Sequence, residues 1–419
     1  MQKRFLPLLF IFLCLHPALR AQFVYGDVLP DAPALSERGD HAVGVQTLTI
    51  TNPNQLNIVG IKDGKIPNYD RPLKLEVWYP AEADASATIT YQETMGQFPD
   101  TTRPLIPFQF LGRATRDAKP KAGERPYPLV VVSHGYTGSR LLMTYLTENL
   151  ASKGYVVVAI EHTESTFDNA GPFPSTLYFR PIDIRFTIDE MERMSKSGSG
   201  SFLAGLTDAS NTAIIGYSMG GYGVLNVGGA GYNPVIGGFF AGQTGGSTAI
   251  NRHVIGNEAY PGADPRVKAV VAFAPWGKTF QMWNDEGLQN LKVPTFFIAG
   301  SEDDISGYEK GIKAIYDGAT NTERYLLTYE GARHNVAPNP PPPEALAPGL
   351  HIDEYLRYAD SVWDTRRMNN INQHFITAFL GGKLKGEDTA KYLELPEDAN
   401  TNKWEGFKPR TAVGLSLMR

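Results

Sequence analysis

Apolar residues follow two rhythms along this chain. In residues 43–50 and 73–80 they alternate with polar ones, the pattern of strands buried on one face, and both segments are predicted as antiparallel edge strands. From residue 128 onward the rhythm changes to short continuous apolar runs: 128–133, 155–160, 212–215, 267–273, 294–299 and 325–329. Such runs are expected of parallel strands buried on both faces. Between them lie segments with helical spacing. Residues 139–152 carry Leu142, Tyr145, Leu146 and Leu150 on one side, with Gly154 as a stop. Residues 182–195 carry Ile182, Ile184, Ile188 and Met191, another helix starts at Met219, and helices are expected at about 305–317 and 352–380. Strands alternating with helices predict an α/β fold: a mostly parallel central sheet with helices on both faces and the antiparallel strands at its N-terminal end. In such sheets the chemistry gathers beyond the carboxyl ends of the strands.

Several stretches break the rhythm. Residues 22–40 read as an irregular arm, and 81–127 as a long surface segment with little periodicity. The Gly-rich insertion 229–265 is expected to act as a lid or pocket wall. Pro340 to Pro343 stiffen the connection 336–350. These pieces lack strand sets of their own and no internal repeat is visible. The organisation expected is one domain over 22–383, with a polar C-terminal extension, 384–419, packed on its surface.

Composition adds constraints. The chain has 419 residues, is 42% apolar and 20% charged, and carries a net charge of −5. Without a basic run, nothing points to nucleic acid. Residues 1–21 read as a signal peptide: Lys3 and Arg4, then an apolar core from Phe5 to Leu15 too short for a stop-transfer helix, then a small residue, Ala21, at the cut. A secreted or periplasmic protein without a stable membrane anchor is expected. The single cysteine, Cys14, lies inside this leader, so the mature chain has no disulfide, no cysteine nucleophile and no thiolate metal ligand.

The candidate chemistry centres on Gly216-Tyr217-Ser218-Met219-Gly220. An apolar run that ends in Gly-x-Ser-x-Gly before a helix is the pattern of a strand–turn–helix elbow that lifts a serine hydroxyl above the sheet. Gly216 and Gly220 are required where a Cβ would strike a neighbouring strand or helix. A serine nucleophile needs a base, an acid to orient it, and donors for the developing oxyanion. On an elbow these follow in the order serine, acid, histidine. Past the strand at 294–299 comes Gly300-Ser301-Glu302-Asp303-Asp304, in which Asp303 is preferred as the acid, Asp304 stays open, and Glu302 is a weaker third. Past the last strand comes His334, the only histidine at a strand tip that follows both serine and acid. His162 also ends a strand but precedes the serine, and reads as a structural or pocket residue. The oxyanion donors would be the backbone N–H groups of Met219 and Tyr136. This chemistry is acyl transfer, needs no cofactor, and is not accompanied by HExxH or a similar metal signature.

Residues 43–380 resemble the α/β-hydrolase superfamily. The blocks 132–135 and 160–162, together with the elbow, are similar to platelet-activating-factor acetylhydrolase and dienelactone-hydrolase-like esterases. Gly135-Tyr136-Thr137, the elbow, Ala274-Pro275-Trp276 and His334-Asn335-Val336-Ala337-Pro338-Asn339 resemble the motif blocks of secreted bacterial cutinases and polyester hydrolases. The chain is longer than a minimal cutinase and lacks the cysteine pair typical of that group. The resemblance implies that Tyr136 and Trp276 flank the substrate. The activity expected is that of a secreted serine carboxylester hydrolase on small-molecule or polymeric esters. Short-acyl or aryl esters are favoured by an apolar lining of Tyr136, Met219 and Trp276, by the absence of a visible basic partner for charged acyl groups, and by an entrance narrowed by 229–265. A cutinase-like polyester hydrolase, a serine peptidase or amidase, and a non-catalytic hydrolase-like binding protein are the other readings.

Overall fold

The continuous apolar runs become the inner strands of an 11-stranded sheet. The structure, a computed structural model, describes residues 23–419, so the leader expected at 1–21 lies outside the described residues. The strands are β1 (Ala42–Leu56), β2 (Asn68–Glu82), β3 (Ile89–Met95), β4 (Ile106–Gly112), β5 (Thr115–Arg116), β6 (Lys119–Pro120), β7 (Tyr127–Ser133), β8 (Val156–Glu161), β9 (Thr207–Tyr217), β10 (Val267–Phe273), β11 (Thr295–Gly300), β12 (Arg324–Tyr329) and β13 (Leu415–Met418). The main sheet runs β13-β12-β11-β10-β9-β7-β8-β2-β1-β5, with β6 paired to β2. Its centre, β12 to β8, is parallel throughout. β2 joins antiparallel to β8 and β1 antiparallel to β2, so β2 is interior and only β1 lies near the edge.

The α-helices are α1 (Thr144–Ser152), α2 (Phe173–Ser195), α3 (Met219–Val227), α4 (Ile236–Gln243), α5 (Asp285–Gln289), α6 (Ala314–Gly318), α7 (Ile352–Leu356) and α8 (Thr365–Leu380). Among them α1 packs with α8, α2 with α3, and α5 with α6. Every residue of β7 and β11 is buried, so the strands are covered on both faces, as their unbroken apolar runs require.

Four expectations change. Helix α2 starts nine residues before Ile182 and carries Pro181 inside it. Leu177, Tyr178 and Phe179, before this proline, are buried and hold the earlier turns in place. The segment expected at 352–380 is two helices, α7 and α8, separated at 357–364. Residues 81–127 are not merely surface chain: β3 and β4 form a separate hairpin that buries Tyr91, Met95, Phe108 and Phe110 at alternate positions. The C-terminal extension likewise returns to the sheet. β13 pairs antiparallel with β12 and buries Leu415 and Leu417, which covers the edge that β12 would otherwise expose.

Candidate active site

Ser218 follows the last residue of β9 and caps α3 with φ 54° and ψ −112°, a conformation that L-residues rarely adopt. The turn is tight for the reason its glycines suggested. A Cβ on Gly216 would come within 2.1 Å of the Gly220 carbonyl oxygen, and one on Gly220 within 1.9 Å of the Ser133 carbonyl oxygen on β7. The serine is thereby held at the carboxyl end of the sheet, where the loops after β7, β10, β11 and β12 converge.

His334, in the loop after β12, places Nε2 2.9 Å from Ser218 Oγ. Its Nδ1 lies 2.8 Å from Asp303 Oδ2, in the loop after β11. Asp303 Oδ1 accepts from the backbone N–H groups of Ile305 (2.9 Å) and Ser306 (2.7 Å). Burial pushes the Asp303 carboxyl up, but the bond and charge of His334 and the two backbone donors outweigh it and hold it below the usual carboxylate range. Asp304 turns outward to pair with the Arg333 guanidinium and makes no contact with His334. The alternative left open by adjacent aspartates is therefore separated by side-chain direction: only Asp303 faces the imidazole. Glu302 takes part in neither contact.

The backbone N–H groups of Met219 and Tyr136 are donors in none of the described loop hydrogen bonds. Tyr136 N–H is oriented from behind. His134 is fully enclosed, and its Nδ1 lies 2.6 Å from the Gly135 carbonyl oxygen. Its Nε2 accepts from the His162 backbone N–H at 3.1 Å, which fixes Nδ1 as the donor. Pinning that carbonyl sends the N–H of the same trans peptide, that of Tyr136, the opposite way. In the sequence His134 falls only within the block 132–135; its contact with His162, 28 residues away, has no signal there.

Tyr136 and Trp276 both stand on Phe173, with ring centroids 5.8 Å and 5.1 Å away and nearly perpendicular planes. Trp276 also stacks on the exposed Phe280 at 4.6 Å, and its backbone N–H donates to the Ser218 carbonyl at 3.2 Å. Tyr136 lines the cavity of about 330 Å³ that contains Ser218 and His334, whereas Trp276 and Met219 do not, the Met219 side chain being buried. The expected apolar lining is corrected accordingly. Arg103, Arg333 and Arg357 reach this cavity, together with Asp304, Asp353 and Asp360. Arg333 and Asp304 are sequence neighbours of His334 and Asp303, but Arg103 and Arg357 arrive from segments distant in sequence, where nothing marks them as cavity residues. Nor does the insertion 229–265 contribute to the cavity wall. Its Tyr232 and Phe240 are buried instead against Tyr222 of α3 and Tyr178 of α2.

His162 is buried and structural in its contacts, with Nε2 2.8 Å from Ser133 Oγ and Nδ1 2.9 Å from Asp183 Oδ2. Arg71 pairs with the same carboxylate through Nε at 2.9 Å. Burial, then the charges of Arg180 and Arg71, push the His162 imidazole well below the histidine range, so it is neutral.

Comparison with known proteins agrees with this architecture. The family model described as platelet-activating factor acetylhydrolase, isoform II, matches residues 35–168, and that described as PET hydrolase-like matches residues 114–236. Cutinase est2 of Thermobifida alba is 28% identical over 214 residues, 51% of this chain and 54% of that protein. Cutinase 2 of Thermobifida cellulosilytica is 27% identical over 216 residues, 51% of this chain and 63% of that protein. The matches thus span little more than half of these curated relatives. Among solved structures, a ferulic acid esterase from Streptomyces cinnamoneus superposes with a TM-score of 0.55 at 18% identity, over 90% of this chain and 96% of that one. The fold is that of an α/β hydrolase, and the chain resembles the acetylhydrolase and cutinase groups.

Proposed function

We propose that this α/β-hydrolase-fold protein is a serine carboxylester hydrolase that works through an acyl-enzyme. One observation carries the proposal: the continuous chain from Ser218 Oγ through His334 to Asp303, at 2.9 Å and 2.8 Å, on a serine held at φ 54°. His334 Nε2 takes the proton as Ser218 Oγ attacks the ester carbonyl, while Nδ1–H donates to Asp303, which stabilises the imidazolium. The N–H groups of Met219 and Tyr136 hold the oxyanion. His334 then protonates the leaving alkoxide, and water repeats the sequence on the acyl group. The matches to cutinases, to the acetylhydrolase model and to a ferulic acid esterase support ester substrates.

Short-acyl and aryl esters suit the small cavity and the aromatic shelf of Tyr136, Phe173 and Trp276 beside it. Polyester hydrolysis is the second reading, favoured by the PET hydrolase-like match across the elbow. Export through a cleaved leader is part of the proposal. Among the described residues, no helix is long and apolar enough to cross a membrane. Labelling by a fluorophosphonate probe, lost in Ser218→Ala, together with parallel panels of graded esters, peptides and a polyester film, tests the assignment. Ester turnover within tenfold of wild type in Ser218→Ala would remove Ser218 as nucleophile, because loss of a triad member costs about 10⁴ to 10⁶ in kcat.

A further inference from the structure

Arg357, just past α7, is the cavity-lining cation that has no carboxylate partner among the described ion pairs. Arg103 Nε sits 2.7 Å from Glu354 Oε1, and Arg333 pairs with Asp304. Arg357 instead spends its guanidinium on neutral groups. Nη1 donates to the Thr137 carbonyl (3.1 Å) and hydroxyl (2.8 Å), and Nη2 to Gln97 Oε1 at 3.3 Å. Its flat face lies over the Phe167 ring, 4.8 Å from the centroid. A guanidinium has five N–H donors. The three described bonds leave Nε–H and one Nη2–H, two donors on a planar fork of the kind that takes a carboxylate.

The surroundings stabilise this charge only in part: Glu354 favours it, but less than burial disfavours it. Burial, followed by the like charge of Arg103, pushes the Arg357 guanidinium below its ordinary value. Arg103 itself holds a buried Nη2 without a partner, while its Nη1 donates to the same Gln97 oxygen, at 3.0 Å. Two guanidinium groups thus share one amide acceptor at the edge of the cavity that contains Ser218.

We propose that Arg357 is a specificity-determining residue that receives a carboxylate of the substrate, so that the preferred esters are those of small molecules carrying a second, free carboxylate. The inference rests on the ester-hydrolase assignment and deepens it. The carboxylate lies on the part of the substrate that occupies the Arg357 side of the cavity, and the bonds to Thr137 and Gln97 hold the guanidinium in place. Arg357 also braces Thr137, next to the proposed Tyr136 donor, so the test must separate recognition from bracing.

Hydrolysis is measured for two matched pairs. The 4-nitrophenyl monoester of glutaric acid is compared with 4-nitrophenyl valerate, which places the charge on the acyl side. 4-Acetoxybenzoate is compared with 4-methylphenyl acetate, which places it on the alcohol side. In each pair the ratio of kcat/KM, charged over neutral, is taken in wild type and in Arg357→Gln, so intrinsic reactivity cancels. The ratio is expected to fall by about 10- to 100-fold on one of the two sides, as for loss of a hydrogen bond to a charged group. Arg357→Lys, which keeps the charge but not the fork, is expected to restore only part of it. A brace alone would lower both members of each pair in step, and that result overturns the proposal. Full recovery in Arg357→Lys would overturn the two-point contact. If Arg357→Gln fails to fold, calorimetric titration of Ser218→Ala decides: in one of two pairs, monomethyl glutarate against methyl valerate or 4-acetoxybenzoate against 4-methylphenyl acetate, the charged member should bind at least about tenfold more tightly, and equal binding in both pairs overturns the proposal. Failure of wild type to hydrolyse any of the four esters would instead sink the hydrolase assignment.

Discussion

Ser133 and His162 reproduce, under the sheet's carboxyl end, the hydroxyl–imidazole contact that Ser218 and His334 make above it. The separation is 2.8 Å in the buried pair and 2.9 Å in the upper one, and in both an aspartate takes the other ring nitrogen. The difference is access and role. Ser133, His162 and Asp183 are essentially enclosed, and Ser133 carries ordinary strand backbone at the end of β7. The lower trio is a brace for the loop that bears Tyr136.

That brace makes Asp183→Asn a stability variant. Loss of the carboxylate charge leaves Arg180 buried without its nearby anion and Arg71 with only the longer pair to Glu164 (3.4 Å), at a cost of about 3–5 kcal/mol. Denaturant unfolding should show that loss, whereas Ser133→Ala should keep fluorophosphonate labelling, since the probe is expected to react at Ser218. A Ser133→Ala protein that folds yet no longer labels would contradict the division of roles.

Asp303→Asn should reduce kcat by about 10⁴, because an amide facing Nδ1 favours the wrong imidazole tautomer. Asp304→Asn loses only an exposed pair with Arg333, worth about 0–1 kcal/mol of stability, and should stay within tenfold in kcat. Steady-state kinetics of the two variants on one ester rank them, and the opposite order would make Asp304 the orienting acid.

Trp276→Ala tests the aromatic shelf. Its ring is shared between Phe173 and Phe280 and lies beside the Ser218 cavity without forming part of its wall. If aryl groups rest on it, kcat/KM for a phenyl ester should fall by the equivalent of roughly 1–3 kcal/mol relative to a short alkyl ester. Equal losses on both substrates would reduce Trp276 to packing.

Stability should also respond to pH through Glu93 on β3. Burial pushes its carboxyl up to about 7, despite the opposing hydrogen bond from Ser139. A carboxyl that holds its proton more tightly when folded favours the folded state at low pH. The advantage is lost as pH rises from the unfolded value, about 4.3, through the folded value. Glu93→Gln removes the titration, so its melting temperature relative to wild type should rise between pH 5 and pH 8, by the equivalent of about 1–2 kcal/mol after allowance for partial exposure. A difference independent of pH would show that Glu93 does not titrate in this window.

The elbow was legible in the sequence because its requirements are local. Two glycines four residues apart, a serine between them and an apolar run before them are each imposed by atoms a few residues away or on the adjoining strand. The inner strands were legible for a related reason: burial on both faces demands unbroken apolar runs, whatever the partners are. His334 and Asp303 could be named as candidates because chain order on this turn restricts where a base and an acid can arise, but only side-chain direction separates Asp303, which faces His334, from Asp304. The arrival of Arg103 and Arg357 in the cavity, the His134–His162 contact and the return of Leu415 to β12 were decided by tertiary structure alone. Each joins segments tens to hundreds of residues apart. A polar side chain carries no periodic signal to show which distant segment will meet it, so only the closed fold determines that Arg357 stands in the same cavity as Ser218.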